Sequence, residues 1–138
     1  MTGASIERIS IYFAHPRTTF NTPREREALQ AIKNKFQNAS IINPASYPET
    51  DNMWFFRKLV QQTKITVFMT TEDGFIGKGV FTEIEYAQFI NRDVFFYNIM
   101  DQKFYSSFEI IDINEDDWRN YARVRILSGE VTGEISTE

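Results

Sequence analysis

Short apolar runs alternate with amphipathic segments along the first hundred residues of the chain. Runs of this length that are rich in Ile, Val, Phe and Tyr predict buried strands, and four occur, at residues 9–14, 41–42, 65–69 and 93–97. The segments between them carry apolar side chains at helical spacing, at residues 23–37, 51–62 and 80–90. This alternation predicts a doubly wound α/β fold, with a mainly parallel sheet of about five strands and helices on both faces.

The pattern changes after residue 98. Residues 104–113 and 121–127 predict two further strands, which could add an antiparallel edge, and residues 114–118 predict a capped helical turn between them. The last residues are polar and acidic, and we expect them to fray. We therefore expect one α/β domain over residues 1–127 and a tail over residues 128–138.

Composition limits the classes of function. With 138 residues, of which 42% are hydrophobic, the chain is long enough to bury a core without covalent staples. It has no cysteine, which excludes disulfides, thiolate metal sites and cysteine nucleophiles, and we expect no metal site. A net charge of −4 without a Lys/Arg-rich run argues against a nucleic acid polymer as partner. Neither a signal peptide nor an apolar run of membrane-spanning length is present, which is typical of a cytoplasmic protein without a membrane partner.

The candidate chemistry lies in the loops that follow the strands. In a doubly wound sheet, ligands bind at the carboxyl ends of the strands, near the point where the strand order reverses. Three loops should meet there, at residues 14–22, 70–79 and 98–103. After the second of them, Gly79 permits close backbone approach, and the amides of a first helical turn can bind an anion or a hydroxyl. Glu83, about one turn further on, is either a carboxylate that acts at an anomeric carbon or a surface glutamate favoured by the helix dipole.

Two motifs of the chain, at residues 11–16 and 79–87, carry a family resemblance. The first reads Ile11-Tyr12-Phe13-Ala14-His15-Pro16, and it resembles the Ile-Tyr-hydrophobic-Ala-x-Pro strand and loop of the nucleoside 2-deoxyribosyltransferase superfamily, whose members act on N-glycosidic bonds. The second matches the family's Gly, catalytic Glu and Ala in order and spacing, at Gly79, Glu83 and Ala87. The resemblance covers roughly residues 8–98. It implies a Rossmann-like or flavodoxin-like fold, Glu83 as the reactive carboxylate, no cofactor, and a nucleoside or nucleoside 5′-monophosphate as the substrate.

The chain departs from the family at two positions. Transferases of the family hold an aspartate six residues before the glutamate, where this chain has Gly77, and a glycine where it has His15. Breaking a glycosidic bond builds oxocarbenium character, which a carboxylate stabilises or traps, while a second group handles the proton of the leaving base. Asp73 and His15 are the candidate acids, unless the base leaves as a stabilised anion. Tyr12 either contacts the substrate or belongs to the core.

Residues 17–22, before the first helix, are a candidate phosphate cradle. Arg17, Thr18 and Thr19 supply a cation and two hydroxyls, and the amides of residues 77–79 are a second set of anion contacts. The same segment is also typical of an exposed loop that ends in a cap, since Thr22 and Glu25 predict a capping box for the first helix, with Pro23 at its first position. The competing functions are a non-catalytic nucleotide-binding module and, because the loop is similar to a flavodoxin phosphate loop, an FMN carrier. The expected substrate contacts are Tyr12, Arg17, Thr18, Thr19, Gly77, Gly79 and Asn98.

The aromatic content predicts a homodimer or a larger assembly. The chain has 13 Phe, 6 Tyr and 2 Trp, which are many large side chains for the interior of one small domain. Met53, Trp54, Phe55 and Phe56 are consecutive in the second predicted helix, so they cannot all face one core. Either one of them lies at an interface between copies, or the loop at residues 44–50 folds over the surplus.

Overall fold

The computed structural model describes residues 9–37, 39–47 and 53–133 of the chain. Its α-helices within these ranges are α1 (Pro23–Lys35), α2 (Met53–Gln62) and α3 (Lys78–Phe89), none of them long and apolar enough to cross a membrane. The predicted α/β class and mainly parallel core sheet are confirmed. The strands form one mixed sheet, and they are β1 (Ile9–Ala14), β2 (Ala39–Ile42), β3 (Ile65–Phe68), β4 (Phe75–Ile76), β5 (Asp93–Asn98), β6 (Lys103–Ile111) and β7 (Ala122–Glu130).

The parallel half of the sheet has the strand order β2-β1-β3-β5. Because β1 lies between β2 and β3, the chain winds first to one side of β1 and then to the other. Tyr12 on β1 stands opposite Thr66 on β3, and Ala14 stands opposite Phe68. The carboxyl ends of β1 and β3 therefore lie side by side where the strand order reverses, which is where such sheets bind ligands.

The antiparallel half is larger than the sequence predicted. β5 pairs with β6, β6 pairs with β7, and β7 pairs with the short β4, so the sheet has seven strands rather than about five. β4 lies within residues 70–79, a segment that we expected to be loop throughout. It forms because Phe75 and Ile76 find backbone partners on β7, at Arg123 and Ala122.

The predicted capped helical turn at residues 114–118 is only partly correct: the Asn114 side chain caps a turn by accepting from the Asp116 amide at 3.1 Å, but no helix forms there. The segment instead connects the two long strands of the β6–β7 hairpin. The Asn114 backbone amide donates to the Tyr121 carbonyl at 2.7 Å, and the Asp117 amide closes one tight turn on the Asn114 carbonyl at 3.1 Å. Closure of the hairpin end thus takes the backbone groups that a helix would need.

The predicted boundary of the frayed tail is also wrong. β7 continues to Glu130, and residues 128–130 pair with β6 instead of fraying. Residues 134–138 lie outside the described part of the chain, as do residues 51 and 52 at the predicted start of α2. The other boundaries differ by one or two residues, as α3 does when it begins at Lys78 rather than at residue 80.

Successive residues of β1 face opposite layers of the molecule. Ile11 and Phe13 belong to a core that they share with residues of α1. Tyr12 and Ala14 belong to a second core, which they share with α2 and α3. Helices therefore cover both faces of the parallel sheet, and a side chain on α3 can meet Tyr12 but not Phe13.

The predicted cap at the start of α1 is present in a modified form. The Thr22 hydroxyl accepts a hydrogen bond from the Glu25 backbone amide at 3.3 Å, and Pro23 occupies the first helical position. The Glu25 carboxylate does not reach back to the Thr22 amide, as the capping box would have it. It accepts instead from the Asn21 amide at 3.2 Å and contacts His15, which connects the helix to the end of β1.

Candidate functional site

The side chains of Tyr12 and Glu83 meet near the carboxyl end of β1. Tyr12 comes from the middle of that strand, and Glu83 comes from the second turn of α3. The Tyr12 hydroxyl donates a hydrogen bond to Glu83 Oε2 at 2.5 Å, which is short, as expected for a phenol that donates to a carboxylate. Tyr12 is fully buried and Glu83 is half-buried, whereas Glu85 on the same helix is exposed. Glu83 is therefore not an ordinary surface glutamate.

Burial controls the charge of the Glu83 carboxylate. It raises the pKa of Glu83 from an ordinary 4.5 to about 7, although the Tyr12 hydrogen bond and the positive charge of Arg17 both act to lower it. Burial, together with the negative charge of Glu83 and the hydrogen bond to it, raises the pKa of Tyr12 far above its ordinary value. Tyr12 thus remains a neutral donor at every pH of interest, while Glu83 changes its charge near neutrality.

Two glycines lie at the start of α3, and they differ in the space around them. The Lys78 backbone amide donates to the Trp118 carbonyl at 2.9 Å, and a Cβ on Gly77 would lie 3.1 Å from that same carbonyl. Gly77 is therefore a packing requirement. A Cβ on Gly79 would meet nothing within 4 Å. Of the three amides that we expected to bind an anion, the Lys78 amide is already occupied, and Gly79 is the position that leaves space for a ligand.

His15 lies on the other layer, away from Glu83. Its ring stacks on Phe13 with 4.1 Å between ring centroids and contacts Phe20 at 4.8 Å. Its Nε2 atom lies 2.7 Å from Glu25 Oε2, and its Nδ1 atom lies 3.0 Å from the Phe13 carbonyl oxygen. Burial lowers the pKa of His15, against the opposing effects of Glu25 and the Phe13 carbonyl. The expectation that His15 acts as the acid beside Glu83 finds no support in these contacts.

The candidate phosphate cradle is a short 3₁₀ turn, Arg17–Thr19. The Thr19 hydroxyl is buried and donates to the Pro16 carbonyl at 2.6 Å, and the Thr22 hydroxyl donates to the Thr19 carbonyl at 2.5 Å. Both hydroxyls thus hold the turn together rather than pointing to a ligand. Arg17 and Thr18 are exposed, and the charge of Arg17 acts on Glu83.

Asp73 and Asn98 occupy turns. Asp73 is exposed in the turn before β4, where its backbone carbonyl accepts from Arg123 at 2.9 Å, and no described hydrogen bond links it to Glu83. Asn98 ends β5, and its side chain accepts from the Met100 amide at 3.1 Å. The three predicted loops do lie at the carboxyl ends of neighbouring strands, but Tyr12, Arg17 and Glu83 are the side chains that the structure relates to one another.

The sequence did not reveal two further features of this region. Glu25 appears in the sequence as a helix-start residue, and nothing in the pattern shows that its carboxylate reaches the end of β1. Lys78 Nζ lies 3.1 Å from the Tyr121 hydroxyl and 4.5 Å from the centre of that ring, so the β6–β7 hairpin is attached to the first residue of α3. Contacts between residues so far apart in the chain leave no local signal.

No group of three or more His, Asp or Glu side chains within residues 9–37, 39–47 and 53–133 is arranged to hold a metal ion. Comparisons of the chain with protein-family models, with curated proteins and with solved structures give no match.

Proposed function

We propose that this protein cleaves or transfers the N-glycosidic bond of a nucleoside or nucleoside 5′-monophosphate, with Glu83 as the nucleophile or water activator. The contact between Tyr12 and Glu83 carries the proposal. It places a half-buried carboxylate, held by a permanently protonated phenol, at the edge where the strand order reverses. The motifs around both residues resemble those of the 2-deoxyribosyltransferase superfamily, and this supports the same reaction class.

The reaction requires little of the other side chains. In the covalent course, a carboxylate oxygen of Glu83 bonds to C1′ while the C1′–N bond breaks and its electron pair leaves with the base. Water, or an acceptor base in the transfer reaction, then attacks C1′ and releases the Glu83 carboxylate. In the other course, Glu83 removes a proton from the attacking water. The Tyr12 hydrogen bond holds Oε2 in place, which suits either role.

The proton of the leaving base is the open step of this mechanism. His15 uses both ring nitrogens on the other layer, and Asp73 is exposed in a turn. The contacts therefore favour departure without a protein acid, in which the base leaves as a stabilised anion and takes its proton from solvent. Purines and other bases with acidic N–H groups meet this requirement best, because they stabilise the anion by delocalisation.

A phosphate on the substrate would contact a smaller set of groups than the sequence implied. The Thr19 hydroxyl and the Lys78 amide are engaged in the fold, so the proposed anion contacts are Arg17, Thr18 and the Gly79 amide. Equal activity on nucleosides and on their monophosphates would count against a phosphate site.

Two other functions remain alternatives. A non-catalytic nucleotide-binding module would need the same binding surface but not an ionisable carboxylate on it. A flavodoxin-like FMN carrier would need threonine hydroxyls turned towards a phosphate, and the Thr19 and Thr22 hydroxyls instead bond to backbone carbonyls of their own loop. The latter observation favours the glycosidase proposal over the FMN carrier. A purified protein that takes up no flavin agrees with it.

We also propose that the protein forms a homodimer or larger assembly through the surface around Trp54. The Trp54 side chain is 68% exposed at the start of α2, whereas Phe56 belongs to the core and Phe55 packs against Tyr47 at 5.1 Å. Tyr47, from the preceding loop, thus covers one surplus aromatic, and the exposure of Trp54 supports the interface proposal. Phe56 is not an interface candidate.

Chromatography of a panel of nucleosides and nucleoside monophosphates after incubation with the protein tests the reaction class. Release of free base, or exchange between a nucleoside and an added base, supports the proposal and separates hydrolysis from transfer. Binding of a nucleotide in calorimetry without any product favours the non-catalytic module.

A further inference from the structure

His15 is surrounded by hydrogen-bond acceptors on both sides of its ring. Nε2 lies 2.7 Å from Glu25 Oε2, and Nδ1 lies 3.0 Å from the Phe13 carbonyl oxygen. A neutral imidazole carries one N–H, so it can donate to only one of these two oxygens. With its proton on Nε2, the ring donates to Glu25 and so joins the residue after β1 to α1.

The same carboxylate connects the two ends of one loop. Its Oε2 atom meets His15 directly after β1, and its Oε1 atom accepts from the Asn21 amide at 3.2 Å just before α1. Asn21 has a positive φ of 59°, an uncommon conformation for a residue other than glycine, which this hydrogen bond helps to retain. Arg17 lies between the two attachment points, in the exposed middle of the loop.

We propose that His15 and Glu25 are positioning residues, which clamp the loop of residues 15–21 at both ends and so hold Arg17, whose charge acts on Glu83. The clamp depends on the Glu25 side chain, because its two oxygens meet the two ends of the loop. This inference rests on the proposed function for its catalytic consequence, but the clamp itself does not need the function to be correct.

Glu25 is the charged group that acts on His15. The ring stacks on Phe13 of β1 and contacts Phe20 of the loop. Arg17, in the same loop, is exposed and acts on Glu83. On α1, Arg24 pairs with Glu27 at 3.5 Å and with Glu72 at 3.0 Å, in the exposed region outside the pair.

The chain offers a direct measurement because His15 is its only histidine. Selective ¹⁵N-histidine labelling gives the ring signals of this one residue, and they can be compared between variants together with the backbone amides of Arg17 and Asn21. Glu25→Ala removes both attachments of the loop. The matched variant is Glu25→Gln, in which the side-chain amide can donate to Nε2 while its oxygen accepts from Asn21, so the clamp stays closed.

In Glu25→Ala, we expect the His15 ring signals and the loop amides to shift while the amides of the sheet stay in place, with activity falling about tenfold or more. In Glu25→Gln, the loop amides and the activity should stay close to those of the wild type. Loop amides that stay fixed in Glu25→Ala would overturn the clamp, as would the same shifts in Glu25→Gln. Shifted loop amides in Glu25→Ala, in a protein whose wild type releases no base, would retain the clamp and refute the proposed function.

Discussion

The Tyr12 hydroxyl, on a strand, and the Glu83 carboxylate, on a helix, are joined by a 2.5 Å hydrogen bond although the two residues lie 71 positions apart in the chain. The bond holds one carboxylate oxygen, and burial raises the pKa of the same carboxyl to about 7. A group with these two properties is destabilising to the fold when ionised and useful to a reaction that needs a carboxylate at neutral pH. Stability and activity therefore make opposite demands on Glu83, and experiments can measure the two separately.

Glu83→Gln should stabilise the protein in alkali but not in acid. Since the folded state holds the Glu83 proton more tightly than the unfolded state, stability falls as the pH rises from the ordinary pKa of 4.5 to about 7. The shift corresponds to at most about 3 kcal/mol at pH 8, which the amide avoids while still accepting from Tyr12. Urea unfolding at pH 5 and pH 8 measures this. Glu85→Gln is the exposed control, and an equal effect of Glu83→Gln at both pH values would refute the burial argument.

Tyr12→Phe should move the acid limb of the activity profile to higher pH. The Tyr12 hydrogen bond lowers the pKa of Glu83, so its loss leaves less carboxylate at a given acidic pH. A hydrogen bond to a charged group contributes about 1.5–3 kcal/mol, which predicts a shift of roughly one to two pH units. Rates measured at saturating substrate between pH 5 and pH 9 test it. A uniform loss of rate with an unmoved acid limb would assign Tyr12 a different role.

Alanine at the two glycines of the α3 start should separate packing from function. Gly77→Ala places a Cβ 3.1 Å from the Trp118 carbonyl, and we expect a loss of about 1–3 kcal/mol in unfolding free energy. Gly79→Ala enters open space in a helix, and we expect a gain of about 0.5–1 kcal/mol.

The two alanine variants should rank in the opposite order by activity if substrate approaches Gly79. Gly79→Ala should then weaken substrate binding even though it stabilises the fold, which appears as an increase in KM. A Gly79→Ala variant with wild-type KM on every active substrate would exclude Gly79 from the binding surface.

Trp54→Asp should convert the assembly to a monomer without unfolding the protein. The side chain is 68% exposed, so the change removes little from the core of a single chain. Light scattering at micromolar concentration gives the mass before and after. Phe89→Asp, which alters another exposed aromatic at the end of α3, is the control. A monomeric wild type, or dissociation by Phe89→Asp alone, would remove the support for an interface at Trp54.

The parts of the fold that the sequence predicted are those with local causes. Apolar runs and helical spacing define β1, β3, β5 and the three helices, because burial on one face leaves a period in the sequence. The sequence did not predict β4 or the continuation of β7 to Glu130, since both depend on pairing with another strand. Local turn chemistry likewise predicted a helical turn at residues 114–118, where the backbone groups instead form the hydrogen bonds that close the hairpin.

The candidate site shows the same division. Gly79 and Glu83 could be selected from spacing in one segment, and their resemblance to a known family named a reaction. Whether His15 faces Glu83 or Glu25 could not be decided from the sequence, because it depends on which layer the loop follows after β1. The alternation of Tyr12 and Phe13 across the sheet determines this, and a seven-residue loop can pack against either layer.

The release of free base by three proteins, wild type, Glu83→Gln and Glu85→Gln, tests the central claim most directly. Each is incubated at pH 7.5 with the nucleoside or monophosphate that the wild type converts fastest, and the product is measured by chromatography. The account predicts that Glu85→Gln matches the wild type and that Glu83→Gln loses about a thousandfold or more in rate, since the reacting carboxylate is absent. Equal base release by the wild type and Glu83→Gln would contradict the account and remove Glu83 from the reaction.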